Sequence, residues 1–321
     1  MPITRRLLAA AVLACASLGA WAQPFPSKPL KLVVNFPPGG AADVMGRALA
    51  QQLSTQLGQQ VVVENKPGAN GNLGADSVAK SPGDGYTLLM SSGGAMTVNP
   101  FLYSKMPFDA DKDLVPVASV ARVLVYLAAH PSVPANTAQE FIAYLKANPG
   151  KLSYGSAGSG SSPHLAGEMF LRAIGAQAAH VPYKGAAPAL TDLLGGQIQF
   201  MFDPGPGLRH ARDGKLKLYA VGSPRRSSQL PDTPTLAEVG LAGFDADTVF
   251  GVYAPAGVPA PVLAQLHGEI NKALAAGPVV EAVRTIAGEM ALGSRESFIE
   301  RQNKDRERFG AFIRQAGIKA E

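Results

Sequence analysis

Y-G-S-A-G-S-G-S-S-P-H-L-A-G-E, residues 154–168, sets three glycines (Gly155, Gly158, Gly160) and four serines (Ser156, Ser159, Ser161, Ser162) ahead of Pro163 and an apolar helical run. Glycine admits positive φ and lets a ligand approach the main chain. Ser162 suits an N-cap, and proline is favoured at the first helical position. The stretch therefore predicts a strand, a loop of free N–H groups and hydroxyls, and a helix whose positive end faces that loop. Such an end suits a carboxylate or phosphate. An ordinary strand-to-helix connection would read the same way, and both readings stand at this point.

Working outward, the same grammar recurs. Leu152 to Tyr154 is the strand that feeds the loop, and Pro163 to Ile174 is the helix that leaves it. Ala178–Val181, Ala187–Leu194, Ile198–Phe202 and Leu216–Val221 then read as strand, helix, strand and strand. Toward the N-terminus, Leu30–Asn35 is a strand and Ala41–Leu57 a helix, with Val44, Ala48, Leu49 and Leu53 at helical spacing. Val61–Glu64 is a strand, Asn72 can cap a helix over Leu73–Lys80, and Tyr86–Met90 is a third strand. After the loops Pro182–Gly185 and Asp203–Gly207 come a strand at Val249–Ala254 and three closing helices near 259–275, 279–287 and 295–315. No short-period repeat or low-complexity tract occurs.

Alternating β and α predicts doubly wound sheets, and two successive units predict two α/β lobes. The expected division is 23–124 for the first part of lobe 1, 125–246 for lobe 2, and 247–321 for a return to lobe 1. Ligands of open α/β sheets sit at the carboxyl ends of the strands. Here those ends carry the loops 36–42, 91–94, 155–162, 183–185 and 203–207, so a cleft between the lobes is expected.

Residues 1–22 read as an export signal. Arg5 and Arg6 precede an apolar run, Leu7–Gly19, too short to span a bilayer, and Ala20-Trp21-Ala22 is an A-x-A cleavage site. Lipid attachment at Cys15 is the weaker alternative, because the A-x-A site is better placed. Loss of Arg5 and Arg6 takes Lys+Arg from 29 to 27 against 24 Asp+Glu, so the net charge falls from +5 to +3. That is too mild to indicate nucleic acid. Cys15 is the chain's one cysteine, and a core of this size needs no disulfide.

The glycine loops match no nucleotide fingerprint. Gly158-Ser159-Gly160 lacks the third glycine of G-x-G-x-x-G, because Pro163 occupies that place, and no G-x-x-x-x-G-K-[ST] occurs. No G-x-S-x-G elbow, H-E-x-x-H pair or mature cysteine supports an enzyme or a metal centre. Ser77–Lys80 matches S-x-x-K, but no K-T-G follows. No cofactor, no metal and no catalytic residue are expected. In the first lobe, P-P-G-G-A-A-D (37–43) is the counterpart of the opening loop, with Asp43 either a helix-start residue or a ligand contact. His164, Lys184 and Asp203 stand at strand or helix ends on the expected rim. Each is either a ligand contact or an ordinary polar residue of its loop.

Four segments carry a family resemblance as a set: F-P-P-G-G-A-A-D (36–43), E-N-K-P-G-A-N-G-N-L-G-A (64–75), residues 154–168 and H-V-P-Y-K-G-A-A-P-A-L-T-D-L-L-G-G-Q (180–197). The mature chain resembles the Bug family of extracytoplasmic solute-binding receptors of tripartite tricarboxylate transporters. The resemblance implies a type II periplasmic-binding-protein fold that closes on a small organic carboxylate in the periplasm. It implies binding through Phe36, Pro38, Gly39, Gly40, Ala41, Ala42 and Asp43 on one lobe. On the other it implies Ser156, Ala157, Gly158, Ser159, Gly160, Ser161 and Ser162, with Ser91, Ser92, His164, Lys184 and Asp203 as specificity positions. The implied partners are inner-membrane transporter subunits, or a sensor kinase for some members, and the implied protein is a monomer with no enzymatic activity.

Overall fold

The structure, a computed structural model, describes residues 25–286 and 288–319; the expected signal and Cys15 lie outside them. β1 (Leu30–Val34) leads into α1 (Ala41–Leu57), β2 (Val61–Asn65), α2 (Asn72–Ala79) and β3 (Thr87–Ser91). Two short helices follow, α3 (Gly94–Thr97) and α4 (Asn99–Leu102), and then the long β4 (Leu114–Val123). The chain continues through β5 (Tyr126–Ala129), α5 (Ala138–Ala147), β6 (Ser153–Ser156), α6 (Ser162–Ile174), β7 (Ala179–Pro182) and α7 (Ala186–Leu194). Next come β8 (Phe200–Asp203), the short α8 (Leu208–Arg212) and β9 (Lys217–Val221). The last elements are β10 (Thr248–Pro255), α9 (Ala260–Leu274), α10 (Gly277–Thr285), β11 (Glu289–Met290) and α11 (Arg295–Ala316).

These elements build two sheets. One has the order β11-β4-β10-β3-β1-β2 and the other β7-β6-β8-β5-β9. β1 pairs in parallel with β2 and β3, as short apolar strands joined by helices must. β10 enters antiparallel between β3 and β4. The central strands of each sheet are buried on both faces. Leu32, Val34 and Met90 meet Met45, Leu49, Leu266 and Ile270 on one side of the first sheet, while Val33 and Leu89 meet Val78, Met96 and Phe298 on the other. In the second sheet, Phe200 and Phe202 pack with Phe141 and Phe170, and Met201 with Leu190 and Leu193. Fully buried strands explain why the sequence shows apolar runs where a half-exposed sheet would alternate.

Two crossings join the lobes. β4 passes from the first sheet to β5 in the second across Leu124 and Val125, and the chain returns at Asp247, just before β10. Arg122 braces both crossings, with Nη1 2.8 Å from Asp247 Oδ2 and Nη2 2.8 Å from Glu289 Oε2. Arg308 of α11 adds a second brace by donating to the carbonyl oxygens of Asp245 and Asp247.

Two caps differ from expectation. α6 begins at Ser162, so Ser161 is the N-cap and Pro163 takes the second helical position. Ser161 Oγ donates to the Gly158 carbonyl at 2.7 Å and so closes the loop rather than the helix. Asn72 is the first residue inside α2, with Gly71 before it in the left-handed region. Its amide oxygen accepts from Asn99 Nδ2 at 2.6 Å, a pairing that outcompetes capping.

Candidate carboxylate-binding cleft

Three helix N-termini open onto the space between the lobes. α1 comes from the first lobe, while α6 and α7 come from the second. The inner part of the cleft is a pocket of about 550 Å³, counted out to its mouth. Its walls are Phe36, Pro37, Pro38, Gly40, Ala41, Ala42 and Phe250 on one side, with Ser92 at the end of β3. Opposite stand Ala157, Ser161, Ser162, Pro163, Gly185 through Pro188, and Pro204. No acidic or basic side chain is among these linings. Among the described residues, the N–H groups of Gly40, Ala41, Ala42, Ser162, Ala186 and Ala187 have no hydrogen-bond partner. Six such donors at three positive helix ends, in a pocket otherwise of proline, alanine, glycine, phenylalanine and serine hydroxyls, can hold an anion without a counter-ion.

An outer compartment of about 1330 Å³ adjoins it through Phe36, Pro37, Ala157 and Gly185. Gly158, Ser159, Asn70, Tyr103, Tyr183 and Lys184 line this part. Lys184 is thus the one cation on either compartment and stands at the outer end.

The structure brings together Phe36, Pro38, Gly40, Ala41, Ala42, Ser92, Ala157, Ser161 and Ser162 in the inner pocket, with Gly158, Ser159 and Lys184 outside it. The remaining expected residues do not line either compartment. Asp43 is folded under the first loop. Its carboxylate accepts from Gly39 N, Arg47 Nε and Asn65 Nδ2 at 3.0, 3.0 and 2.9 Å. Burial raises its pKa, but the hydrogen bonds from Arg47, Gly39 and Asn65 outweigh this and hold it below the usual range. Gly39 thereby has its N–H spent on Asp43. Ser91 is fully buried, and its Oγ accepts from Asn35 Nδ2 and Gly93 N.

Ser156, Gly160 and His164 form the underside of the second loop. Gly160 N donates to His164 Nδ1 at 3.0 Å, and Ser156 Oγ bonds His180 Nε2 at 2.7 Å. The two imidazoles stack with centroids 4.0 Å apart. Burial holds both histidines at about 4, with the neighbouring His164 also disfavouring charge on His180. At His164 a neutral ring is required, since a protonated Nδ1 could not accept from Gly160. Asp203 is 1% exposed, because its Oδ2 turns inward to accept from Gly205 N and Gly207 N at 2.9 and 2.8 Å. It shapes the loop that carries Pro204 to the pocket. The sequence reading also missed the α7 terminus, whose signal was G-A-A-P at 185–188, a glycine before a helix with an early proline.

A histidine held near 4 binds a proton more readily in the unfolded chain, so its contribution to stability is full above about 6.5 and is lost as pH falls toward 4. Asp203 and Asp247, both pushed up to about 6 by burial, act with the opposite sign over the same window. His164→Gln removes one titrating group while leaving an oxygen to accept from Gly160. The variant's melting temperature should therefore improve relative to wild type between pH 7 and pH 4.5. A constant difference across that range would contradict a neutral, buried His164.

Residues 45–318 match the family described as "Tripartite tricarboxylate transporter family receptor". Protein BugT of Bordetella pertussis is 41% identical over 263 residues, covering 81% of this chain and 81% of BugT. The solved periplasmic binding protein BugD is 33% identical with a TM-score of 0.86, covering 92% of this chain and 100% of BugD. An R. palustris protein solved with adipate is 32% identical with a TM-score of 0.88, covering 92% of this chain and 99% of that one. The two-lobed architecture is therefore that of the periplasmic binding proteins. Among the described residues, no group of three His, Cys, Asp or Glu could hold a metal ion, and no helix is long and apolar enough to cross a membrane.

Proposed function

The chain belongs to the tripartite tricarboxylate transporter receptor family, and from that premise we propose that it captures a small organic carboxylate in the periplasm and delivers it to an inner-membrane transporter. The observation that carries this reading is the convergence of three helix N-termini from two lobes on a pocket without a charged side chain. One carboxylate sits among the free N–H groups of residues 40–42, 162 and 186–187. The rest of the molecule extends past Ala157 toward Ser159 and Lys184. Closure of the lobes removes the anion from water, so each main-chain donor counts for more. A relative solved with adipate supports the ligand class. The early S-x-x-K match plays no part, because Ser77 Oγ donates to the Gly74 carbonyl within α2.

Differential scanning fluorimetry tests the proposal. A cognate carboxylate at about 100 times its Kd should raise the melting temperature by roughly 5 °C or more. The corresponding amide, of the same shape without the charge, should not. If a broad panel of mono- and dicarboxylates leaves the melting temperature unmoved, or if amide and acid act alike, the carboxylate reading fails.

A further inference from the structure

A second, smaller cavity lies behind the ligand cleft, and Ser92 lines both. Its other walls include Thr248 and Tyr253 of β10 and Gln302, Asp305 and Phe309 of α11. It is small: about 10 Å³ is open to the centre of a water molecule, which is room for one, against about 50 Å³ in the inner pocket on the same measure. Three of its side chains carry a buried atom that has no hydrogen-bond partner among the described residues. These are Tyr253 Oη, Thr248 Oγ1 and Gln302 Oε1. Tyr253 is 1% exposed and Thr248 7%, so bulk water does not satisfy them. Asp305, which also lines it, has both oxygens occupied by Arg301 and one also by Arg308, and Thr97 Oγ1 donates to the Gly93 carbonyl.

Buried polar atoms are rarely left alone, and three of them around one cavity have a common explanation. We propose that the cavity is a built water site, in which one ordered molecule bonds Tyr253 Oη, Thr248 Oγ1 and Gln302 Oε1. The water joins α11 to the start of β10, next to the point where Arg308 ties the same helix to the second crossing. It completes the seam between the returning helix and the wall that carries Ser92. The inference stands on this cavity alone and is independent of the carboxylate reading.

The sign of one substitution decides it. Removing a hydroxyl that is truly orphaned relieves a penalty, so Tyr253→Phe would raise the melting temperature of a dry site. Removing a hydroxyl that holds a water leaves the water short of a partner, so the same change should lower it by about 2–4 °C. Thr248→Val should act with the same sign. A high-resolution crystal structure of the wild-type mature protein is the independent measurement. Density for one molecule within hydrogen-bonding distance of the three atoms is expected. An empty cavity, or an unchanged or higher melting temperature for Tyr253→Phe, overturns the proposal.

Discussion

Ala157→Asp should abolish carboxylate binding while leaving the protein folded. Ala157 lines both compartments of the cleft and is half-buried. Its φ is not among the positive values, so the backbone accepts a side chain there. An aspartate at this point places a fixed negative charge beside the donors of α6 and α7. A second anion entering the pocket then meets a like charge, at a cost of several kcal/mol. At 1.4 kcal/mol per decade, affinity should fall by at least about 100-fold. Stability should hold, because an acid near a helix N-terminus contributes about 0.3–1 kcal/mol of its own. Ala157→Asn separates charge from bulk and should lose about tenfold or less. Isothermal titration calorimetry with a cognate acid reads both variants. Equal losses for Asp and Asn would mean that shape, not charge, governs this position.

The second large effect is expected at Gly205. This residue has φ +119°, a region that side chains rarely adopt. A Cβ there would lie 1.9 Å from the carbonyl oxygen of Ile286, which belongs to the other lobe. Because the opposing atom is main chain, no rotamer change can make room. Gly205→Ala therefore forces either the loop or the lobes apart, and the loop is tied back by the two hydrogen bonds to Asp203. Separation of the lobes makes the closed state a minor population, and apparent affinity falls by the fraction closed. A penalty of about 3 kcal/mol, the upper end for such backbone strain, corresponds to roughly 100-fold. Small-angle scattering of the liganded variant should show a more open particle than wild type. Wild-type affinity in the variant would show that this contact does not limit closure.

Gly205 is one of three places where a glycine of the second lobe meets the first. A Cβ on Gly160 would come within 2.2 Å of Leu102 Cδ1, and one on Gly185 within 3.0 Å of Pro37 Cγ. Much of this molecule is legible in sequence because its rules are local. The glycine and proline loops mark the strand ends, apolar runs mark the buried strands, and helical spacing marks α1 over the 41–57 range that the structure gives. The long β4, the antiparallel entry of β10 and the role of these glycines are not local. They depend on which residue stands opposite, and nothing in the sequence around 205 points to residue 286.

The same limit governs the cleft. From composition the two loops at 36–42 and 156–162 read as candidate anion sites, with an ordinary strand-to-helix connection as the alternative. The direction of a side chain at their edge is not. Asp43 turns toward Gly39 N as well as Arg47 and Asn65, Asp203 toward Gly205 and Gly207, and His164 toward Gly160, each satisfying the backbone of its own loop or helix start. At Pro182–Gly185 the sequence drew attention to the lysine, whereas the α7 terminus behind it supplies main-chain donors to the inner pocket.

A pocket with no charged lining has a consequence for unloading. Where a salt bridge holds a cargo, something must break that bond or offer a stronger one. Here the proposed grip is made of peptide dipoles, which are weak in water and strong where water is excluded. Opening the lobes wets the carboxylate and the donors together, and the hold fades without a competing ion, a proton or a chemical step. Whatever pries the two lobes apart would thereby also set the cargo free.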